Sequence, residues 1–157
     1  MNPLYVLLVD DEPDIRSLVM RWLEGEGHQV TCAADGVKAA AISNAKEFDL
    51  VITDVIMPES DGVQLIAEIK KSRPKARVLA MSGGGRLIES FDCLRMARAL
   101  GSHVAIAKPF TRQEFLAAVA QAVAAPLATP KPTSMAAFLA KVRPLAARLT
   151  GSKPPAP

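Results

Sequence analysis

The sequence has little of what staples, anchors or exports a chain. Its two cysteines, Cys32 and Cys93, stand far apart with no partner spacing, which argues against a disulfide framework and a zinc site and leaves them as buried, reduced thiols. The longest apolar stretch, around Phe115–Ala128, is interrupted by Gln121 and falls short of the ~18 residues that a membrane-spanning helix needs, so no transmembrane segment is expected. The run Leu4–Val9 is too short for the core of a signal peptide, has no basic residue before it and leads into Asp10, Asp11 and Glu12. The expected location is the cytoplasm. Two histidines and a single tryptophan leave few candidates for imidazole or indole chemistry, and Trp22, His28 and His103 are read as packed or surface side chains.

What is there is one domain's worth of chain and an uneven spread of charge. The 157 residues carry a net charge of +3, but residues 1–125 hold 14 Lys/Arg against 16 Asp/Glu, and residues 126–157 hold five basic residues and no acid. The basic balance belongs to the tail, so the main body gives no ground for expecting direct nucleic-acid binding. The tail also carries 7 of the 12 prolines. Residues 1–125 are therefore expected to form the folded domain. Residues 126–157 are read as a Pro-rich basic appendage, either with a short amphipathic helix at 134–149 that Pro144 would break or kink, or with two short turns or a disordered arm in its place.

Within the domain, short β-branched runs alternate with stretches of helical period. The runs at Tyr5–Val9, Gln29–Ala33, Leu50–Thr53, Arg77–Met81 and Val104–Ala107 are too apolar for strands with one wet face, and read as central strands of a parallel sheet. Helices are expected at Asp14–Glu24, Val37–Ala45, Val63–Ser72, Leu87–Leu100 and Arg112–Ala124. Pro13 suits a first helical turn, and Thr111 with Glu114 three residues on is a capping box. Five such alternations predict an α/β fold of the doubly wound, flavodoxin-like type: a five-stranded parallel sheet in the order 2-1-3-4-5 with five helices.

Ligands gather at the carboxyl ends of such strands. There the sequence places Asp10 and Asp11, Asp54, Ser82, and Lys108 followed by Pro109. Three carboxylates in one pocket repel one another unless a cation neutralises them, and an all-oxygen site that keeps several waters suits Mg²⁺ beside a phosphoryl group. Phosphoryl transfer asks a protein mainly to align the nucleophile and to neutralise charge on the equatorial oxygens. Mg²⁺ would take one oxygen, the Lys108 ammonium a second, and the Ser82 hydroxyl with nearby backbone N–H groups the third.

Asp10-Asp11, Asp54 followed by Met57-Pro58 and Asp61-Gly62, Ser82, and Lys108-Pro109-Phe110 resemble the receiver domain of bacterial two-component response regulators, over roughly residues 4–125. That resemblance implies that Asp54 accepts a phosphoryl group from a histidine kinase or a histidine phosphotransfer protein. It implies that Asp11 binds Mg²⁺ directly, Asp10 mainly through water, and the backbone carbonyl of Ile56 as a further ligand. It also implies a cis bond before Pro109, and a phosphate-binding and switching role for Ser82, Gly83 and Lys108. The pattern fails at Ala105, where receivers usually carry the aromatic side chain that swings inward with the hydroxyl residue. The loop that begins Gly83-Gly84-Gly85 lacks the Lys-Ser/Thr pair of a nucleotide loop, and is expected to carry the conformational signal instead.

The expected function is that of a stand-alone receiver in phosphorelay signalling, a phosphoacceptor that promotes its own phosphorylation and dephosphorylation without turning over a separate substrate. The rival within signalling is a phospho-dependent regulator whose tail is the effector that binds a protein target. From another class, a flavodoxin-like binding module or a metal-dependent hydrolase would show turnover without an adduct. Haloacid-dehalogenase phosphatases place a second aspartate two residues after the nucleophile, and that position here is Ile56.

Overall fold

The structure is a computed structural model that describes residues 2–57, 60–83, 95, 97–99 and 101–126, with only the backbone at 60 and 61. The elements are β1 (Tyr5–Val9), α1 (Pro13–Gly25), β2 (Gln29–Ala33), α2 (Gly36–Ala45), β3 (Leu50–Asp54), β4 (Ile56–Met57), β5 (Ser60–Asp61), α3 (Gly62–Ser72), β6 (Arg77–Ser82), β7 (Val104–Ala107) and α4 (Arg112–Ala124). Most of the helix expected at Leu87–Leu100, and all of the one expected at 134–149, lie outside the described residues; within the former, 95 and 97–99 are helical.

Five strands form one sheet in the order β2-β1-β3-β6-β7, every pair parallel. With the two-residue hairpin β4–β5 set aside, this is the 2-1-3-4-5 order expected. The central strands β1, β3 and β6 are buried on both faces, the edge strands β2 and β7 only in part, and the alternating side chains feed two separate cores. Leu7, Val9, Val51, Val78 and Ala80 pack with Leu65, Ile66 and Ile69 of α3 on one face. Val6, Leu8, Ile52, Leu79 and Met81 pack with Val19 and Leu23 of α1 and Phe115 and Val119 of α4 on the other. Each such fully buried aliphatic or phenyl side chain contributes ~1.5–3 kcal/mol over its exposed state, which is what makes two thin apolar layers sufficient. On the second face Phe115 lies between Trp22 and Phe110, with ring centroids 5.8 Å and 5.4 Å away.

Local signals set where the helices begin. Pro13 opens α1 after Glu12 at the N-cap, Asp35 caps α2 by accepting the Lys38 N–H, and Thr111 and Glu114 form the capping box of α4. Because the five strands of the main sheet are parallel and the helices return the chain, their C-termini share one edge of the sheet. Asp10 follows β1, Asp54 closes β3, Ser82 closes β6 and Lys108 follows β7 on that edge. No helix among the described residues is long and apolar enough to cross a membrane.

Candidate functional site

At this edge the Lys108 ammonium stands among three carboxylates. Its Nζ donates to Asp54 Oδ2 at 2.6 Å, to Asp10 Oδ2 at 2.8 Å and to Glu12 Oε1 at 3.3 Å. Asp10 is wholly buried and Asp54 is 2% exposed, while the Glu12 side chain is 60% exposed. The Asp54 carboxylate is held from its other side by the Ile56 N–H, which donates to Oδ1 at 2.9 Å. Asp10 Oδ1 accepts the Glu12 N–H at 2.9 Å, and the Arg16 guanidinium donates to the Asp10 carbonyl, so the turn out of β1 is tied down at both ends.

The electrostatics follow from this geometry. Burial alone would lower the Lys108 pKa, but hydrogen bonds to Asp10 and Asp54 and the charges of both hold it above its ordinary value. The lysine is a permanent cation here. Burial pushes the Asp54 carboxyl up, against the downward pull of the Lys108 ammonium and the Ile56 amide.

The neighbouring strand ends complete the pocket. Ser82 is wholly buried, and its Oγ has no hydrogen-bond partner among the described residues, a state that leaves a hydroxyl without the ~1–3 kcal/mol that pairing restores. The Lys108 N–H donates to the Ser82 carbonyl at 2.7 Å, which clamps the two strand ends together. A Cβ on Gly83 would stand 2.9 Å from Lys108 Cδ, so glycine lets the lysine stem lie against this backbone. The Lys108–Pro109 peptide is cis.

A sequence profile of the response regulator receiver domain matches residues 6–120. The chain belongs to the response regulator receiver family. Sporulation initiation phosphotransferase F of Bacillus subtilis is 33% identical over 114 residues, covering 73% of this chain and 89% of that protein. The transcriptional regulatory protein GlrR of Escherichia coli is 38% identical over 86 residues, covering 55% of this chain and only 19% of its own. Among solved structures, the receiver domain of NtrX from Brucella abortus superimposes with a TM-score of 0.70 at 35% identity, covering 75% of this chain and 97% of that one. The chain therefore spans about a fifth of the length of the first curated relatives, GlrR and QseF, at 19% of each. Receivers are phosphoacceptors in two-component signalling, act with histidine kinases or phosphotransfer proteins, and bind Mg²⁺ at an acidic pocket.

In this receiver, Asp10, Asp54, Ser82, Gly83 and Lys108 lie on one edge, joined through contacts of Lys108 with each of the other four. Asp11 is half-buried and stands outside the carboxylate cluster, whose three members are Asp10, Glu12 and Asp54, with oxygens all within 4.8 Å of one another. Glu12 is the member that sequence reasoning missed. It occupies the N-cap of α1 yet makes no capping bond with its side chain, which is free to reach Lys108. Its position two residues after Asp10, with the helix starting immediately behind it, was the available signal. Ala105 pairs with Ala80 across β6 and β7 and packs against the α3-side core, so a methyl group stands at the position of the usual ring. Pro58 and most of the glycine-rich loop lie outside the described residues.

Proposed function

We propose that this receiver takes a phosphoryl group from a histidine kinase or a histidine phosphotransfer protein onto Asp54. The observation that carries the reading is the Asp54 carboxylate itself, almost fully buried at a strand end and gripped between the Lys108 ammonium and the Ile56 amide. A carboxylate so fixed is a pre-aimed nucleophile. One of its oxygens attacks phosphorus, the bond from phosphorus to the donor imidazole breaks, and the imidazole nitrogen takes a proton.

Lys108 contributes a mobile point charge that leaves the Asp54 oxygen for the phosphoryl oxygens as charge moves onto them. The unpaired Ser82 hydroxyl is placed to donate to a second phosphoryl oxygen, which supplies the partner it lacks. Gly83 keeps the path of the lysine stem clear.

Three hard oxygen donors around a single cation are a fit for Mg²⁺, and the ammonium in their midst shows that the cluster accepts positive charge. Asp10 and Asp54 with the Ile56 carbonyl would hold the ion, Asp11 would join them by turning its side chain inward, and Glu12 is a further carboxylate within reach. Bound there, Mg²⁺ supplies positive charge to a phosphoryl oxygen. The same groups let the domain take phosphate from a small acyl phosphate and later lose it to water, without turnover of a separate substrate. The domain proposed for this chemistry ends at Ala125, the C-cap of α4.

Mass measurement after incubation with a small acyl phosphate and Mg²⁺ tests the proposal. The expected result is one alkali-labile phosphate adduct that Asp54→Ala lacks. An adduct that survives in Asp54→Ala, or product turnover with no adduct on the wild-type chain, would falsify the assignment.

A further inference from the structure

The opposite edge of the sheet carries a feature that phosphoryl transfer does not use. The segment 70–77 holds Lys70, Lys71, Arg73, Lys75 and Arg77 and no acid. It runs from the last turn of α3 into β6. Elsewhere on the surface some cations find carboxylates: Lys38 meets Asp35 at 3.4 Å and Arg112 meets Glu26 at 2.6 Å. Here none does, among the described residues. Lys70 donates to the Ala76 carbonyl at 2.6 Å, and Arg73 donates to the Lys46 carbonyl at 2.8 Å, which brings Lys46 into the same corner, where the one carboxylate tied in, Asp49, accepts the Tyr5 N–H at 2.8 Å.

Lys71 joins this corner to a groove between α2 and α3 whose wall includes Ala40, Ser43, Leu65, Glu68 and Ile69. The one acid in it, Glu68, already accepts the Gln64 side-chain amide at 2.8 Å. We propose that the α2–α3 groove and the basic corner at its end bind a protein segment rich in carboxylates and carrying apolar side chains.

Charge complementarity selects the sign of the partner, and three observations select its class. The groove offers aliphatic wall next to the cations, which suits leucine-like anchors among glutamates. The half-exposed ring in the corner, Tyr5, already has the Lys46 ammonium 5.0 Å from its centroid, so one of its faces is occupied by a cation and is not open for a base to stack on. Residues 1–125 carry more acid than base, 16 against 14, so a long polyanion would meet net repulsion away from the corner. A short acidic segment confined to the corner is screened from that repulsion beyond a Debye length of ~8 Å at physiological salt. The chain's own tail is excluded as occupant, since residues 126–157 have no acid.

The test titrates the full chain with a fluorescent peptide of glutamates and interspersed leucines, reading anisotropy for affinity and amide chemical shifts for location. Expected are shifts in residues 40–46 and 65–77, and an affinity that falls at least about tenfold in Lys71→Glu/Lys75→Glu but little in Lys38→Glu. Both reversed lysines are exposed, and adduct formation on Asp54 in the double variant verifies that it folds. Replacing the peptide's leucines with alanine should also weaken it. Three outcomes overturn the proposal: affinity unchanged in the double variant, shifts confined to residues 126–157, or tighter binding of a single-stranded oligonucleotide of equal charge than of the peptide.

Discussion

Two buried lysines, at opposite edges of one sheet, have opposite fates. Lys108 sits among the carboxylates of Asp10, Glu12 and Asp54, and its pKa is raised. Lys70, 6% exposed, has only the Ala76 carbonyl among the described residues, and burial lowers its pKa from 10.5 to about 8. Both are taken from water. What separates them is whether opposite charge replaces the water, since a carbonyl dipole returns only part of what an ammonium loses on burial. The edge that holds Lys108 sets charges of opposite sign together, while the edge that holds Lys70 gathers cations that meet no carboxylate among the described residues.

The strongest way to break this comparison is to remove the compensated lysine. Lys108→Met leaves Asp10 and Asp54 buried with no cation, which should lower stability by ~3–5 kcal/mol in metal-free urea denaturation. Added Mg²⁺ should recover much of that loss if the same oxygens hold it, as proposed. A variant as stable as wild type without metal would show that the cluster needs no cation.

A smaller effect is expected where the other lysine's stem is packed. Gly101 has φ +106°, and a Cβ there would lie 3.3 Å from Lys70 Cε. Gly101→Ala should cost ~1 kcal/mol or somewhat more, mostly from backbone strain, with the lysine tip yielding. Equal midpoints for variant and wild type in urea would contradict this packing.

The smallest effect is a slope in pH. Because the folded-state pKa of Lys70 is about 8, below the 10.5 of the unfolded chain, the unfolded state binds more protons between those values. Stability should therefore rise as pH climbs through that window, with the penalty for a buried ammonium fully present below it. Lys70→Met should flatten this rise. An identical slope in the variant would place its origin in another group.

Much of the fold was legible because its signals are local. The limits expected for β1, β2, β7 and α4 are those observed, since buried β-branched runs and a capping box fix them within a few residues. β3 and β6 each run one residue further than expected. Asp54 pairs with Met81 and Ser82 with Ala107, and such extensions depend on the neighbouring strand rather than on the residue's own preference. The hairpin β4–β5 left no trace in the pattern, because two-residue strands are too short to show alternation. The convergence of Asp10, Asp54, Ser82 and Lys108 followed from topology alone. Glu12 did not, because its part in the cluster depends on which way an N-cap side chain turns, and the sequence equally permits a capping bond.

The aromatic stack on the α1–α4 face has a practical use. The protein's single tryptophan, Trp22, lies 6.3 Å from the ring of Phe110, which follows directly after the Lys108–Pro109 unit. If Lys108 moves when the proposed phosphoryl group arrives on Asp54, the shift should pass through Pro109 to the phenyl ring beside the indole, and a change in tryptophan emission on adding a small acyl phosphate and Mg²⁺ is the expected optical sign of it.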